Sequence, residues 1–313
     1  REDIAVSQVT IAFCTFNRRP RLRSLVNALM NEATGLDAKV LAVNNNSTDG
    51  TAETLAELAS IHAPRLHVVT EHEQGIVAAR NRAISESLDS DYLLFIDDDE
   101  LPCAGVVAAA LDALEREGAD CVGGAVEVDF EGIDRPAWLG PELLGFLAEI
   151  DHGANAFWIE DESTPVWTCN IAYRVDLFRQ DPSLRFDNRF TRRGKGVAGG
   201  EDVIMFRELL RRHLRIRYRP DMKVRHSVEP WRMSRRYFLN LHFRSGLTHA
   251  RWDDVRFERT IFGVPPFLLR QACAHTGNAL VAWSRHRTAY VRTAMTAANT
   301  WGRVIGSLIR GRD

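Results

Sequence analysis

Along the first 130 residues, short apolar runs alternate with longer segments whose apolar positions recur every three or four residues. The runs at 9–13, 40–43, 66–69 and 92–96 are rich in β-branched and aromatic residues and end in polar loops. That pattern predicts buried strands. The segments 21–31, 51–61, 76–88 and 105–117 carry helical spacing, and Gly118 stops the last of them. Residues 121–130 alternate apolar and polar, which predicts a further strand. Strands alternating with helices in this way predict an α/β fold with a mainly parallel sheet and helices on both faces. After residue 130 the regularity fades. Residues 132–161 are rich in glycine, proline and aromatic side chains and read as an excursion over a site. A strand is expected at 166–173, a helix at 203–213 and an extended stretch at 216–224. The glycine-dense, basic segment 191–200 predicts a mobile loop. From Arg235 onward the chain reads as helical, interrupted at Pro265-Pro266, and no internal repeat is evident.

The chain of 313 residues is long enough for a large core in one extended domain or in two. Hydrophobic residues make up 45% and charged residues 26%, an ordinary balance for a soluble globular protein. The five cysteines are widely spread and form no CxxC pair, so neither a disulfide framework nor a zinc site is indicated. A reducing, cytoplasmic compartment fits this usage. No signal peptide is visible, although a chain beginning at Arg1 can have been trimmed. No apolar run reaches the length of about 18 residues that a spanning helix needs. The net charge of −2 conceals an asymmetry: residues 203–313 hold 22 Lys+Arg against 7 Asp+Glu. A basic C-terminal third points to an anionic partner such as a phospholipid surface or a pyrophosphate-bearing substrate. Nucleic acid is disfavoured, because no recognition motif is present and the acidic first two-thirds would repel a phosphate backbone.

The most informative chemistry is Asp97-Asp98-Asp99 at the end of the apolar run 92–96. Open α/β sheets bind ligands beyond the carboxyl ends of such strands. Three crowded carboxylates repel one another and call for a compensating cation. Hard divalent ions such as Mg²⁺ or Mn²⁺ use one or two carboxylates together with substrate phosphates. The plainer alternative is a solvated turn or a helix N-cap, with Glu100-Leu101-Pro102 opening the helix.

Cys14-Thr15-Phe16-Asn17-Arg18 follows the first strand, and Asn44-Asn45-Asn46-Ser47-Thr48-Asp49-Gly50 follows the second. Neighbouring parallel strands would project both loops over one crevice, where a ring can stack on a nucleobase and amides can read its edge. Asp49-Gly50 reads equally as a turn before a helix. Arg80, early in the helix at 76–88, could reach a diphosphate or base, or lie on a solvated face.

In this order the stretches CTFNR, NNNSTDGT, GIVAARN, FIDDDE, TCNIAYR and GGEDV resemble the inverting family-2 glycosyltransferases of GT-A fold. They spread over residues 10–210. FIDDDE and VRHSVEP are closest to bacterial exopolysaccharide glucosyltransferases of succinoglycan type. The resemblance implies a Rossmann-like GT-A domain over residues 1–230 and a basic helical region over 231–313. It implies transfer of a hexose, glucose or a related sugar, from a UDP-sugar to a hydroxyl of a glycan or a polyprenyl-diphosphate-linked saccharide. It also implies roles. Phe16 would stack on uracil beside Thr15, and Asn17, Arg18, Asn46 and Arg80 would line the nucleotide-sugar site. Asn44 stands where the family usually has an aspartate facing the base, a departure that loosens the preference for UDP. Asp97 would face the ribose or base, Asp98 would sit between them, and Asp99 would ligate Mn²⁺ or Mg²⁺. Of Glu201-Asp202, the aspartate would be the base that deprotonates the acceptor, with Glu201 beside it at the donor. His226 would complete the metal shell or touch the diphosphate. Arg193 and Lys195 could clamp the diphosphate. Trp138, Trp158, Trp167 and Trp231 could line sugar subsites or serve as core.

The plainer readings of these residues are a helix N-terminus favouring acids at 201–202 and a structural histidine at 226. Residues 263–313 carry seven arginines and one acid among apolar residues including tryptophan. Such helices suit the surface of an anionic membrane, so peripheral association at the inner face of the cytoplasmic membrane is one expectation. A helical subdomain packed on a core, or a dimer surface, is the other. Two further functions stay open: a non-catalytic sugar-nucleotide or glycan binder, and a nucleotidyltransferase, although CTFNR lacks the glycine-rich basic loop the latter would carry.

Overall fold

The computed structural model describes residues 7–130, 132–190, 200–252, 257, 259–285 and 290–310. The chain begins β1 (Val9–Thr15), α1 (Arg19–Glu32), β2 (Ala38–Asn44), α2 (Thr51–Ile61), β3 (Leu66–Thr70), α3 (Ile76–Glu86) and β4 (Tyr92–Ile96). It continues with β5 (Glu100–Pro102), α4 (Val106–Glu115), β6 (Cys121–Asp129), β7 (Phe157–Ile159), β8 (Asn170–Arg174), α5 (Asp176–Gln180), α6 (Glu201–Arg211) and β9 (Ile216–Ser227). The order across the sheet is β3-β2-β1-β4-β8-β6-β9-β5, with β7 on β9.

The four strands from β3 to β4 are parallel. Their side chains explain why. Every residue of β1 and β4 is buried, so both faces are covered, as crossover helices require. The apolar stripe Leu22, Leu25, Val26, Leu29 and Met30 fixes which face of α1 meets the sheet. Beyond β4 the sheet is mixed: β8 runs antiparallel to both β4 and β6, and β6 is parallel to β9. The ends of β1 and β2 lie level, with Thr15 opposite Asn44.

Glu100-Leu101-Pro102 does not open a helix. It forms β5, antiparallel to β9, with Glu100 opposite His226. The next helix starts only at Val106, after Gly105 at φ +89°, and the carboxylate of Glu32 accepts from the N–H groups of Gly105 (3.1 Å) and Val107 (3.3 Å). A distant acid therefore meets the exposed donors of this helix end, and the triplet is left for other work.

The β6–β9 ladder shifts register between Gly124 and Ala125. A Cβ on Gly124 would lie 1.7 Å from the Met222 carbonyl oxygen, so the close approach requires glycine. The amide of Asn170 donates to the carbonyls of Ala125 (3.0 Å) and Met222 (2.8 Å), which fixes this bulge. Past it, residues 224–226 of β9 pair with both β6 and β5, so His226 arrives beside the strand-end acids.

Two compact units emerge from the contacts. One comprises the described residues of Arg1–Asp129, Ala148–Lys195 and Gly200–Ser227; the other comprises those of Phe130–Leu147 and Val228–Asp313. In the second, α7 (Arg235–Trp252), α8 (Pro266–Arg285) and α9 (Val291–Arg310) follow one another. A Cβ on Gly302 would lie 2.0 Å from the Phe243 carbonyl oxygen, and one on Gly246 the same distance from that of Asn299. Glycines thus allow α7 and α9 backbones to touch, as small residues do at close helix crossings. Val264, Leu268, Ala272 and Val304 form a small core around α8 and α9. Among the described residues no helix is long and apolar enough to cross a membrane.

Candidate active site

The loops after β1 and β2 are sewn together. The Asn17 side-chain oxygen accepts from the N–H of Thr48 (2.8 Å), and its own N–H donates to the Ser47 hydroxyl (3.0 Å). The Arg18 N–H donates to the Thr51 hydroxyl (3.2 Å), and Asn44 accepts from the N–H of Ser47 (3.2 Å). Asn17 and Asn46 take left-handed φ of +55° and +57°, a conformation that asparagine tolerates well. Both are exposed, while Thr15 and Asn44 are buried at the strand ends and Phe16 is half-buried.

Asn45 was not a candidate from the sequence. It is buried, and its amide is fully used: it donates to the carbonyls of Glu73 (2.7 Å) and Glu71 (3.3 Å) and accepts from the N–H of Gly75 (2.8 Å). It ties the β2 loop to the start of α3, the helix that carries Arg80.

The acids follow from β4. The Asp97 N–H donates to Glu100 (3.2 Å), and the Ser227 N–H donates to the Asp99 carbonyl (2.9 Å), so β5 and β9 hold the triplet's backbone. Arg18 lies 3.7 Å from Asp98 and 3.8 Å from Asp99, and His226 Nε2 lies 3.5 Å from Asp99 Oδ2. Burial, with Asp99 beside it, pushes the Asp98 carboxyl up to about 7 despite Arg18. Burial also pushes Glu100 well above the usual carboxylate range, with Asp97 and Asp99 adding to it. The Asp98 and Glu100 carboxyls thus favour their protonated forms more than free acids do.

Glu201 and Asp202 open α6. Glu201 is buried and accepts from the N–H of Gly200 (3.0 Å). The Asp202 side chain keeps 28% of its surface exposed. Arg80 joins these acids to the triplet: Nη1 lies 2.7 Å from Asp202 and 3.3 Å from Glu201, and Nη2 lies 3.3 Å from Asp97. Of the thirteen sequence candidates, Thr15, Phe16, Arg18, Asn44, Arg80, Asp97, Asp98, Asp99, Asp202 and His226 fall on strand ends, adjoining loops or facing helices of one unit, with Glu201 on the same helix start as Asp202. Asn17 and Asn46 also lie there, with Asn17 committed to bracing the loops.

Arg193 and Lys195 lie outside the described residues. The guanidiniums of Arg215 and Arg217 both lie over the Trp158 ring, and Trp167 packs edge-on against Phe206 and the core. Trp138 meets Phe238 edge-on, and Trp231 donates to Glu229. Among the described residues no three His, Cys, Asp or Glu side chains are grouped so as to hold a metal ion by themselves. The pair Asp99 and His226, in a carboxylate-rich surround, fits a divalent cation that takes its remaining ligands from phosphate and water.

Residues 10–181, more than half of the chain, match the family described as Glycosyl transferase family 2, and the chain belongs to that family. The nucleotidyltransferase reading is set aside by this membership. The chain is 28% identical over 247 residues to the succinoglycan biosynthesis protein ExoM of Rhizobium meliloti (strain 1021), covering 78% of this chain and 74% of the relative. It is 24% identical over 296 residues to the glycosyltransferase AglE of Haloferax volcanii, covering 87% of each. Among solved structures, S. aureus TarS residues 1–349 in complex with UDP superpose with a TM-score of 0.54 at 14% identity, covering 95% of this chain and 90% of that one. GalNAc-T7 with UDP, GalNAc and Mn²⁺ gives 0.54 at 13% identity, covering 80% and 52%. These likenesses show the GT-A fold.

Proposed function

We propose that the protein moves a hexose, glucose or a related sugar, from a UDP-sugar to a hydroxyl of a glycan or lipid-linked oligosaccharide, with inversion at the anomeric carbon. The similarity to a succinoglycan biosynthesis protein supports a place in exopolysaccharide or cell-surface polysaccharide assembly. The observation that carries the reading is the Arg80 bridge, which sets Asp202 and Asp97, the first acid of the strand-end triplet, about one guanidinium.

In this reading the rim of Thr15, Phe16 and Asn44 receives the nucleoside. Asp99 and His226 would hold Mn²⁺ or Mg²⁺ beside the donor diphosphate. When bound, that ion supplies charge neutralisation for the departing diphosphate. The partly exposed Asp202 accepts the proton of the acceptor hydroxyl as its oxygen bonds to the anomeric carbon. The bond from that carbon to the diphosphate oxygen breaks, and UDP leaves with the electron pair. One displacement needs no protein nucleophile.

UDP release from a panel of UDP-sugars with Mn²⁺ tests this. Asp202→Asn is expected to lower turnover by about 10²–10⁴-fold while UDP still binds. Donor binding without turnover in the native protein would leave a sugar-nucleotide binder instead.

A further inference from the structure

The last two helices present one apolar strip to solvent, and its surroundings limit what can cover it. α9 is packed on two sides. Gly302 and Gly306 lie against the α7 backbone. On the opposite side Val304 joins Leu268 and Ala272 in a small core, and the Thr300 hydroxyl bonds His275 Nδ1 of α8 (2.8 Å). Two strips of α9 remain. Arg292, Arg303 and Arg310, spaced by eleven and seven residues, share one of them. Trp301, Ile305 and Ile309, spaced by four, share the other. Trp301 Nε1 donates to the Thr276 hydroxyl of α8 (2.9 Å), and Leu280 and Trp283 stand one and two turns beyond Thr276 on the same side of that helix. Five large apolar side chains therefore form one strip across both helices, each between 37% and 61% exposed. A contiguous apolar surface of this kind marks a binding face.

Charge selects the occupant. Residues 263–313 hold seven arginines and a single acid, Asp313. A second copy docked strip to strip would bring two such sets of guanidiniums together with almost no carboxylate to separate them. An anionic bilayer supplies the missing negative charge. A helix with arginine on one side and tryptophan and isoleucine on the other lies in the plane of a bilayer, its apolar side about 5–10 Å into the boundary between headgroups and acyl chains. Long arginine stems reach headgroup phosphates from that depth, and an indole suits it by pairing an apolar ring with a polar N–H. We propose that Leu280, Trp283, Trp301, Ile305 and Ile309 form a membrane-insertion face, which lays α8 and α9 flat in the surface of an anionic phospholipid bilayer. The arginines draw the protein to the surface, and the apolar strip enters it.

Vesicles of phosphatidylserine and phosphatidylcholine, the latter brominated along its acyl chains, test this through the tryptophan fluorescence of the full chain. Bromine quenches only indoles that reach the acyl chains, so it separates insertion from adsorption by charge. The expected result is quenching on vesicle binding, most of it lost when Trp283→Phe and Trp301→Phe are combined. Leu280→Ser combined with Ile309→Ser changes two exposed positions and is expected to weaken vesicle binding by at least about tenfold, with helix content by circular dichroism unchanged. Vesicle binding without quenching would overturn the proposal, as would no vesicle binding at all, quenching retained in the double phenylalanine variant, or binding unchanged in the double serine variant. A dimer in sedimentation equilibrium that the serine variant dissociates, with no quenching in the native protein, would give the strip to a second copy instead. Should the serine variant lose helix content, the phenylalanine variant, which keeps both side chains apolar, decides alone.

Discussion

At the scale of single residues, three consecutive asparagines show what a sequence conceals. Asn44, Asn45 and Asn46 share one side chain, yet Asn44 is buried at the rim, Asn45 is a fully bonded tie and Asn46 is an exposed left-handed turn residue. The difference lies in partners 26 to 30 positions away, such as Glu71 and Gly75, which no local pattern encodes. Asn45→Ala would strand a buried N–H and the carbonyls it serves, so it is expected to cost about 1–3 kcal/mol of stability, measured by urea unfolding. The acid triplet was legible because β4 is a short, wholly apolar strand ending in charge. The burial of Glu100 was not, since its hydrogen bond to the Asp97 N–H and its pairing opposite His226 exist only after folding.

At the scale of elements, periodicity marks most of what is present. The helix at 51–61 and the strand at 92–96 are found with those limits, because apolar spacing and flanking turns agree there. β5 is one exception, as are β7 and α5: the three residues of β5 form a strand only because β9 offers them an edge. The start of α4 is likewise served by Glu32 from another helix. On α6, which carries Asp202, the end of the helix is braced by Glu208, whose carboxyl bonds Arg211 (2.6 and 2.8 Å) and Arg212 (2.7 Å). The Arg211 contact, with Arg212, holds the Glu208 carboxyl down at about 2. A depressed acid stabilises the fold above its unfolded pKa of about 4.5, and that contribution fades as pH falls towards 2. Glu208→Gln is thus expected to lower the melting temperature at pH 7 by the equivalent of about 1 kcal/mol or less, given solvent screening. The gap to wild type should close between pH 4.5 and 2, as followed by circular dichroism.

At the scale of the molecule, residues 203–313 hold 22 basic against 7 acidic side chains, and α7 to α9 account for most of the described residues beyond Arg235. That residues 130–147 group with the chain beyond Val228 was hidden, because such grouping rests on contacts distant in sequence. The basic region is proposed to meet an anionic membrane surface. Arg270, Arg285 and Arg292 are exposed there. If each contributes roughly 1 kcal/mol at low salt, replacing all three with serine should weaken cosedimentation with phosphatidylserine vesicles by on the order of 100-fold. Binding that is unchanged would assign this region to packing or self-association.

The account turns on Asp99 and the diphosphate sharing one cation. Electron paramagnetic resonance of Mn²⁺ titrated into the protein with and without UDP reads this directly. The expected result is tight Mn²⁺ binding that depends on UDP, weakened at least tenfold in Asp99→Asn and retained in Asp202→Asn. Mn²⁺ binding unaffected by Asp99→Asn, or indifferent to UDP, would contradict it.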